Sequence, residues 1–474
     1  MSASPGSVSG SYERLRGNVG YAQYFALGFG CIIGSGWVVI AGDWLAAAGP
    51  GGAILGFLLG GAVMAIVGAC YAELTSRVPE AGSEFAYANR VFGIVPAFAV
   101  GWFLLLYFLG VTIFEGLAIA WILEIAFPVL RTATLYELFG HPISGGALVI
   151  GVVGAVLLAV TNLAGVQAAA RLQGTLTYGF LAVAIVLLAM LLFHGTPENA
   201  RPAFASASGQ PWLHGTLWIF ATSAFLLNGF QAIPQVVEER SSRVSLRAVA
   251  FLIVLSIIAG VAFYCVVIWA NAVSLPWRQL AGTEMATATS VGTLPHGDRL
   301  TTILLLAAAV SLFKTWNGMV IMAARVMVAM ARAGALPARF AAVDRRFGSP
   351  ANAILLIAII NVAGLFLGRG AIIPIINMCS MTLTLTFVMC CVAVLVLRRR
   401  EGATAGFQVP GGVVTIVIGG VAAATMSVVA FLSPLFGAEA FPLEYTLLIL
   451  WSLAGAAFWA GHRRIARGGY PTAA

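Results

Sequence analysis

Apolar residues run along this chain in long blocks, parted by short segments that collect its arginines, glutamates and prolines. Stretches such as Leu148–Val160, Leu181–Phe193 and Ile354–Leu367 contain no charge at all. A helix needs ~20 mostly apolar residues to cross a bilayer, and backbone in hydrocarbon must bond to itself. The ten-residue alternating strands of a membrane β-barrel are absent. The pattern predicts an all-α membrane protein of about twelve transmembrane helices. The spans fall near 19–48, 51–76, 96–127, 143–164, 174–194, 214–238, 246–272, 300–331, 351–368, 371–397, 411–433 and 442–462. Polar tails, 1–18 and 463–474, flank a single transmembrane domain over 19–462.

Composition agrees with this reading. The 474 residues are 61% hydrophobic and 9% charged, against about 25% charged in soluble domains. The first eighteen residues have no apolar core, so no signal peptide is expected and the first helix is its own insertion signal. A net charge of +8 could suggest a nucleic-acid partner, but the basic residues sit in loops between spans. With the N-terminus inside, eighteen cations fall on the cytoplasmic side and five on the outer side. That bias predicts cytoplasmic termini, with the lipid bilayer and not nucleic acid as surroundings; a bacterial inner membrane is the expected location.

Two spans look interrupted. Span 1 reads Ala26-Leu-Gly-Phe-Gly-Cys-Ile-Ile-Gly-Ser-Gly-Trp37, with Gly28, Gly30, Gly34 and Gly36 close together. Each glycine inside a helix costs ~1 kcal/mol against alanine. Gly30 and Gly34 also form a GxxxG packing pair, but Gly36 and the polar Ser35 favour a break. Span 6 carries Asn228-Gly229 at its middle and Pro234 beyond, and proline removes a backbone donor. Four spans lie between the two sites, so they belong to helices running in opposite directions. Paired interruptions of this kind mark a transporter binding site. Freed N–H groups attract an anion and freed carbonyls a cation, which suits a zwitterionic amino acid.

The residues then resemble a family. Gly30-Cys-Ile-Ile-Gly-Ser-Gly36, Tyr71-Ala-Glu-Leu-Thr-Ser-Arg-Val-Pro-Glu-Ala-Gly-Ser-Glu-Phe-Ala-Tyr87, Asn228-Gly-Phe-Gln-Ala-Ile-Pro-Gln-Val-Val-Glu-Glu239 and Arg332-Ala-Gly-Ala-Leu-Pro337 follow one another. In that order they resemble the motifs of the amino acid–polyamine–organocation (APC) superfamily of permeases. The resemblance implies a five-plus-five inverted-repeat bundle with discontinuous helices 1 and 6, plus two C-terminal helices. Repeat one would cover about 19–194, repeat two about 214–397, and the added helices about 411–462. It also implies that the N–H groups of Ser35 and Gly36 hold a substrate carboxylate. Carbonyls of Ile32, Phe225, Leu226 and Asn228 would hold its ammonium, with Phe225 as an outer lid. The sequence departs from the family at Gln231, where an acid is frequent, and at bulky Trp37. Phe180 stands where many proton-coupled members have a fifth-helix lysine.

Ionisable residues inside the spans sharpen the picture. Lys314 is the only lysine, fourteen residues into span 8 and ~21 Å along it at 1.5 Å per residue. A charge at that depth should face the interior and have a partner. It is a candidate for ion or proton coupling between spans 1 and 8, where sodium-coupled relatives hold a cation; a purely structural pairing is the plainer alternative. Glu115 in span 3 is a candidate for the pocket, as are Trp37, Trp316 and Asn317, with Asn377 from span 10. Glu73, Arg77 and Glu238 are expected at an inner gate, among Glu80, Glu84, Arg90 and Glu239. The six cysteines and five histidines show no metal-ligand spacing, and no phosphate-binding Gly-Lys-Ser/Thr loop or paired catalytic groups occur. Neither a cofactor, a metal, a nucleotide-driven pump nor an enzyme is expected. The reading is a secondary-active amino acid transporter working by alternating access, with a proton or sodium as coupling ion. Import or exchange of an amine such as ethanolamine or a polyamine is the alternative, and a non-transporting nutrient sensor a remote one.

Overall fold

The computed structural model describes residues 15, 18–34, 36–138, 140–207, 209–283, 285–344, 346–402, 406–435 and 442–467. Helices dominate it. The chain opens with α1 (Tyr21–Ile32) and α2 (Gly36–Val39), and continues in α3 (Ala41–Arg77). Gly49, at φ 66°, divides α3 just before Pro50, where the sequence places the boundary between its first two spans. A short helix α4 (Glu84–Phe92) leads into α5 (Ile94–Ala126), α6 (Gly145–Leu163) and α7 (Val166–His194). The chain then forms α8 (Trp212–Leu226), α9 (Ala232–Gln235), α10 (Leu246–Ser274) and the short α11 (Trp277–Leu280) and α12 (Ala286–Gly292). The remaining helices are α13 (Gly297–Arg332), α14 (Ala351–Leu365), α15 (Ile372–Glu401), α16 (Gly412–Leu432) and α17 (Leu443–Arg467).

Ten stretches among the described residues are long and apolar enough to cross a membrane. The two other expected spans are the interrupted pair α8–α9 and the 15-residue α14. α7 begins eight residues earlier than the span expected at 174. Its first turns hold Gln173 and Arg171, so hydropathy alone starts it late. The hairpin β1 (Thr134–Leu138) and β2 (His141–Ser144) between α5 and α6 was not anticipated. It is too short to register as periodicity.

Local chemistry sets several boundaries. Ser144 caps α6 by accepting from the Ala147 N–H at 3.0 Å, and Ser245 caps α10 through Ala248 at 3.1 Å, which satisfies otherwise orphaned donors. Pro211 and Pro350 stand immediately before α8 and α14, where their missing N–H costs nothing. In the core, α13 packs along α5, and α3 lies against both α8 and α10. α1 and α9 run antiparallel. The Val19 N–H donates to Glu239 O at 3.0 Å at one end, and Gly229 presses on the Cys31–Ile32 backbone at the other.

Candidate functional site

Both expected interruptions are present. Between α1 and α2, Ile33 is extended (φ −89°, ψ 94°), leaving the last carbonyls of α1 without helical partners. Lys314 of α13 fills the gap. Its fully buried ammonium donates to Gly30 O at 2.6 Å and also to Ile33 O. The Ser311 hydroxyl contacts Ile33 O at 2.8 Å and Gly34 O at 3.1 Å. Lys314 Nζ further lies 4.9 Å from the centre of the Phe180 ring on α7, within range of a cation–π attraction. The ammonium thus rests over the Phe180 ring.

The second interruption is satisfied differently. α8 ends at Leu226, and Asn228 turns back to donate to Phe225 O while its Oδ1 accepts from the Tyr107 hydroxyl. The Gly229 N–H donates to Gln231 Oε1 at 2.7 Å. Gly229 adopts φ +114° against the α1 backbone. Only glycine takes that conformation without strain, and a Cβ there would meet main-chain atoms of Cys31 and Ile32.

A small cavity of about 70 Å³ lies between the two interruptions. Ile32, Gly34, Gly36, Phe225, Leu226, Asn228 and Glu115 border it, together with Tyr107 and Tyr264. A Cβ on Gly34 would meet nothing within 4 Å, so this glycine opens on space instead of packing a helix. A water takes ~30 Å³, so the cavity has room for little more than solvent. One carboxylate oxygen of Glu115, Oε2, is buried without a hydrogen-bond partner. The Tyr264 hydroxyl donates to Ile32 O at 3.3 Å, occupying one of the carbonyls expected to hold an ammonium.

Other expected site residues lie elsewhere. Ser35 lies outside the described residues. Trp37 packs edge-on against Phe180 and Phe263, with centroids 5.7 Å away in each case. Asn317 belongs to an amide cluster behind the cavity. It donates to Gln173 Oε1 at 3.0 Å and Ala169 O at 3.1 Å, and accepts from Asn162 at 3.0 Å. Trp316 is buried against Gly116 and Gly154, and Asn377 borders a neighbouring, mostly apolar cavity of about 210 Å³ next to Phe225. Tyr107, Tyr264 and Ser311 were not singled out from the sequence, although polar groups deep in apolar spans are a usable signal.

The acidic and basic groups expected at an inner gate form two clusters. Glu73, fully buried, accepts from Arg77 Nη2 at 2.9 Å, Arg398 Nη2 at 2.6 Å and the Val409 N–H at 2.9 Å. This ties the end of α3 to α15 and the loop before α16. Glu238 instead pairs with Arg332 at 2.9 Å and accepts from the Ala81 N–H, while Glu239 pairs with buried Arg325 at 2.7 Å. Between the clusters sits Glu84 of α4, accepting from the Tyr71 hydroxyl at 3.1 Å and from Gln235 Nε2 of α9 at 2.9 Å. Burial pushes its carboxyl up to about 7.

A multi-pass helical bundle whose two broken helices meet around a small cavity defines an integral membrane transport protein. The chain belongs to the amino acid permease family of the APC superfamily, whose model matches residues 19–454. It is 28% identical to the methylthioribose transporter of Bacillus subtilis over 81% of this chain and 82% of that protein. It is 26% identical to human Asc-type amino acid transporter 1 (84% and 75% covered) and 25% identical to the B. subtilis branched-chain amino acid permease BcaP (84% and 85%).

Proposed function

We propose that this protein is a secondary-active amino acid transporter of a bacterial cytoplasmic membrane, coupled to protons through Lys314. Both termini are cytoplasmic in this reading, and twelve crossings form a five-plus-five inverted repeat plus two helices. The names of its relatives support an amino acid as substrate. The substrate carboxylate meets the N–H groups of Ser35 and Gly36. Its ammonium meets carbonyls of Ile32, Phe225, Leu226 and Asn228, once Tyr264 and the Asn228 side chain have released them. The cavity of about 70 Å³ is well below the ~300 Å³ of an ordinary ligand pocket. Alternating access supplies the missing volume as α1–α2 and α8–α9 move.

The observation that carries the coupling is the Lys314 ammonium in the carbonyl gap of α1. A charged lysine closes that gap. A neutral one gives up most of the attraction, so protonation is linked to the shape of the broken helix. The test is uptake into proteoliposomes with proton and sodium gradients imposed separately. Accumulation that follows the proton gradient in the wild type and is lost in Lys314→Ala supports the reading. Undiminished accumulation in that variant ends it.

A second reading, an amine or polyamine carrier or exchanger, is favoured by one observation: the unpartnered Oε2 of Glu115 at the cavity. An unpaired buried oxygen is costly, and a substrate amine would satisfy it. Competition by decarboxylated analogues separates the two, because an amine has no carboxylate for Ser35 and Gly36 to read.

A further inference from the structure

A cavity with charged walls lies away from the helix interruptions, at the end of the bundle opposite Arg398–Arg400. It measures about 350 Å³, within the ~300–1,000 Å³ range of small-molecule sites. Four segments far apart in sequence build it: the last turns of α5, the β1–β2 hairpin, the first turn of α6 and the link from α14 to α15.

Its walls carry charges of both signs. Glu124 of α5 accepts a hydrogen bond from the hydroxyl of Ser144, the same residue that caps α6. The carboxylate is therefore held in place by the helix start. One turn earlier on α5, Trp121 supports the Arg369 guanidinium, whose carbon lies 4.0 Å from the ring centre. Stacking fixes the plane of a guanidinium and leaves its N–H edge free to fork a carboxylate. No ion pair among the described residues joins Glu124 to Arg369 or Arg131. The floor between them is aliphatic, formed by Leu117, Leu148 and Leu365.

We propose that this pocket is a second solute site that takes a zwitterionic amino acid with an apolar side chain. The carboxylate lies on Arg369, the ammonium on Glu124 and the side chain on the leucine floor. Opposite charges that share a cavity yet do not neutralise each other suit a ligand that brings both complements at a fixed spacing. The site does not depend on the central cavity, with which it shares no lining residue.

The test uses full-length protein in lipid nanodiscs and radiolabelled L-leucine at up to millimolar concentrations. The wild type should show a leucine-binding component that weakens at least tenfold in both Arg369→Gln and Glu124→Gln and persists in Asn228→Leu, which disables the central site. Isovalerate and isoamylamine, each lacking one charge, should not displace it. Trp121→Leu removes the shelf without changing charge and should weaken binding too, so the idea stays testable if either charge variant misfolds. Leucine binding that ignores the Arg369, Glu124 and Trp121 changes overturns the proposal. So does full displacement by isovalerate, which would make the pocket a plain carboxylate site.

Discussion

The two broken helices solve one physical problem in opposite ways. Each leaves main-chain carbonyls and N–H groups unpaired where water is scarce. In α1 the carbonyls are satisfied from another helix by a charged group: Lys314 reaches Gly30 O and Ile33 O, and Ser311 assists. In α8–α9 the repair is local and neutral, through Asn228, Gln231 and the turn at Gly229. A neutral repair built from the segment's own side chains involves no change of charge. A cation lent by a neighbouring helix can lose its proton or move with that helix. The first break is therefore closed by a group borrowed from another helix, the second by side chains of its own segment.

The largest expected effect tests that contrast directly. Lys314→Ala should lower gradient-driven accumulation at least tenfold while leaving substrate exchange measurable, because the second break still offers its share of the site. Asn228→Leu should depress both. Equal losses of accumulation and exchange in the lysine variant would erase the distinction. Next in size is Gly229→Ala. A side chain at φ +114° against the α1 backbone should cost about 1–3 kcal/mol, read as a drop in unfolding temperature in detergent. An unchanged transition would mean the turn is not rigid.

Ser311→Ala should be milder. It removes hydrogen bonds to Ile33 O and Gly34 O worth about 1 kcal/mol, and its effect should nearly vanish in a Lys314→Ala background if the two act on the same carbonyls. Additive losses in the double variant would separate their roles. The smallest effect concerns pH. Glu84 reaches α9 through Gln235, and burial raises its carboxyl from 4.5 to about 7. The unfolded chain releases this proton first, so the contribution is complete below 4.5 and fades as pH rises towards 7. Thermal stability of the wild type should decline across that window more steeply than that of Glu84→Gln. Parallel curves would show that Glu84 does not titrate there.

How far the sequence could be read follows from the same chemistry. Hydropathy places most blocks within a few residues, the start of α7 excepted, and the glycine cluster and Asn228-Gly229 place both interruptions, because helix-breaking residues act locally. The depth of Lys314 follows from counting along α13, and its burial from the cost of a charge in lipid. Side-chain direction was harder. Asn317 was expected at the cavity and instead joins Asn162 and Gln173 behind it, while Tyr107 and Tyr264 line the cavity unannounced. Spans that are apolar on every side carry no amphipathic phase from which to tell inward from outward.

By itself, then, the sequence determined a membrane-spanning helical bundle, the positions of its two interruptions and the burial of Lys314. Those features depend on composition and on short-range backbone preferences. Only the tertiary structure decided which carbonyls Lys314 meets, that its ammonium rests over Phe180, and that Glu73 and Glu238 serve separate clusters. It also decided that Arg369 and Glu124 face one pocket from segments more than two hundred residues apart. Such pairings depend on how helices are rotated and stacked against one another, which no local stretch of chain encodes.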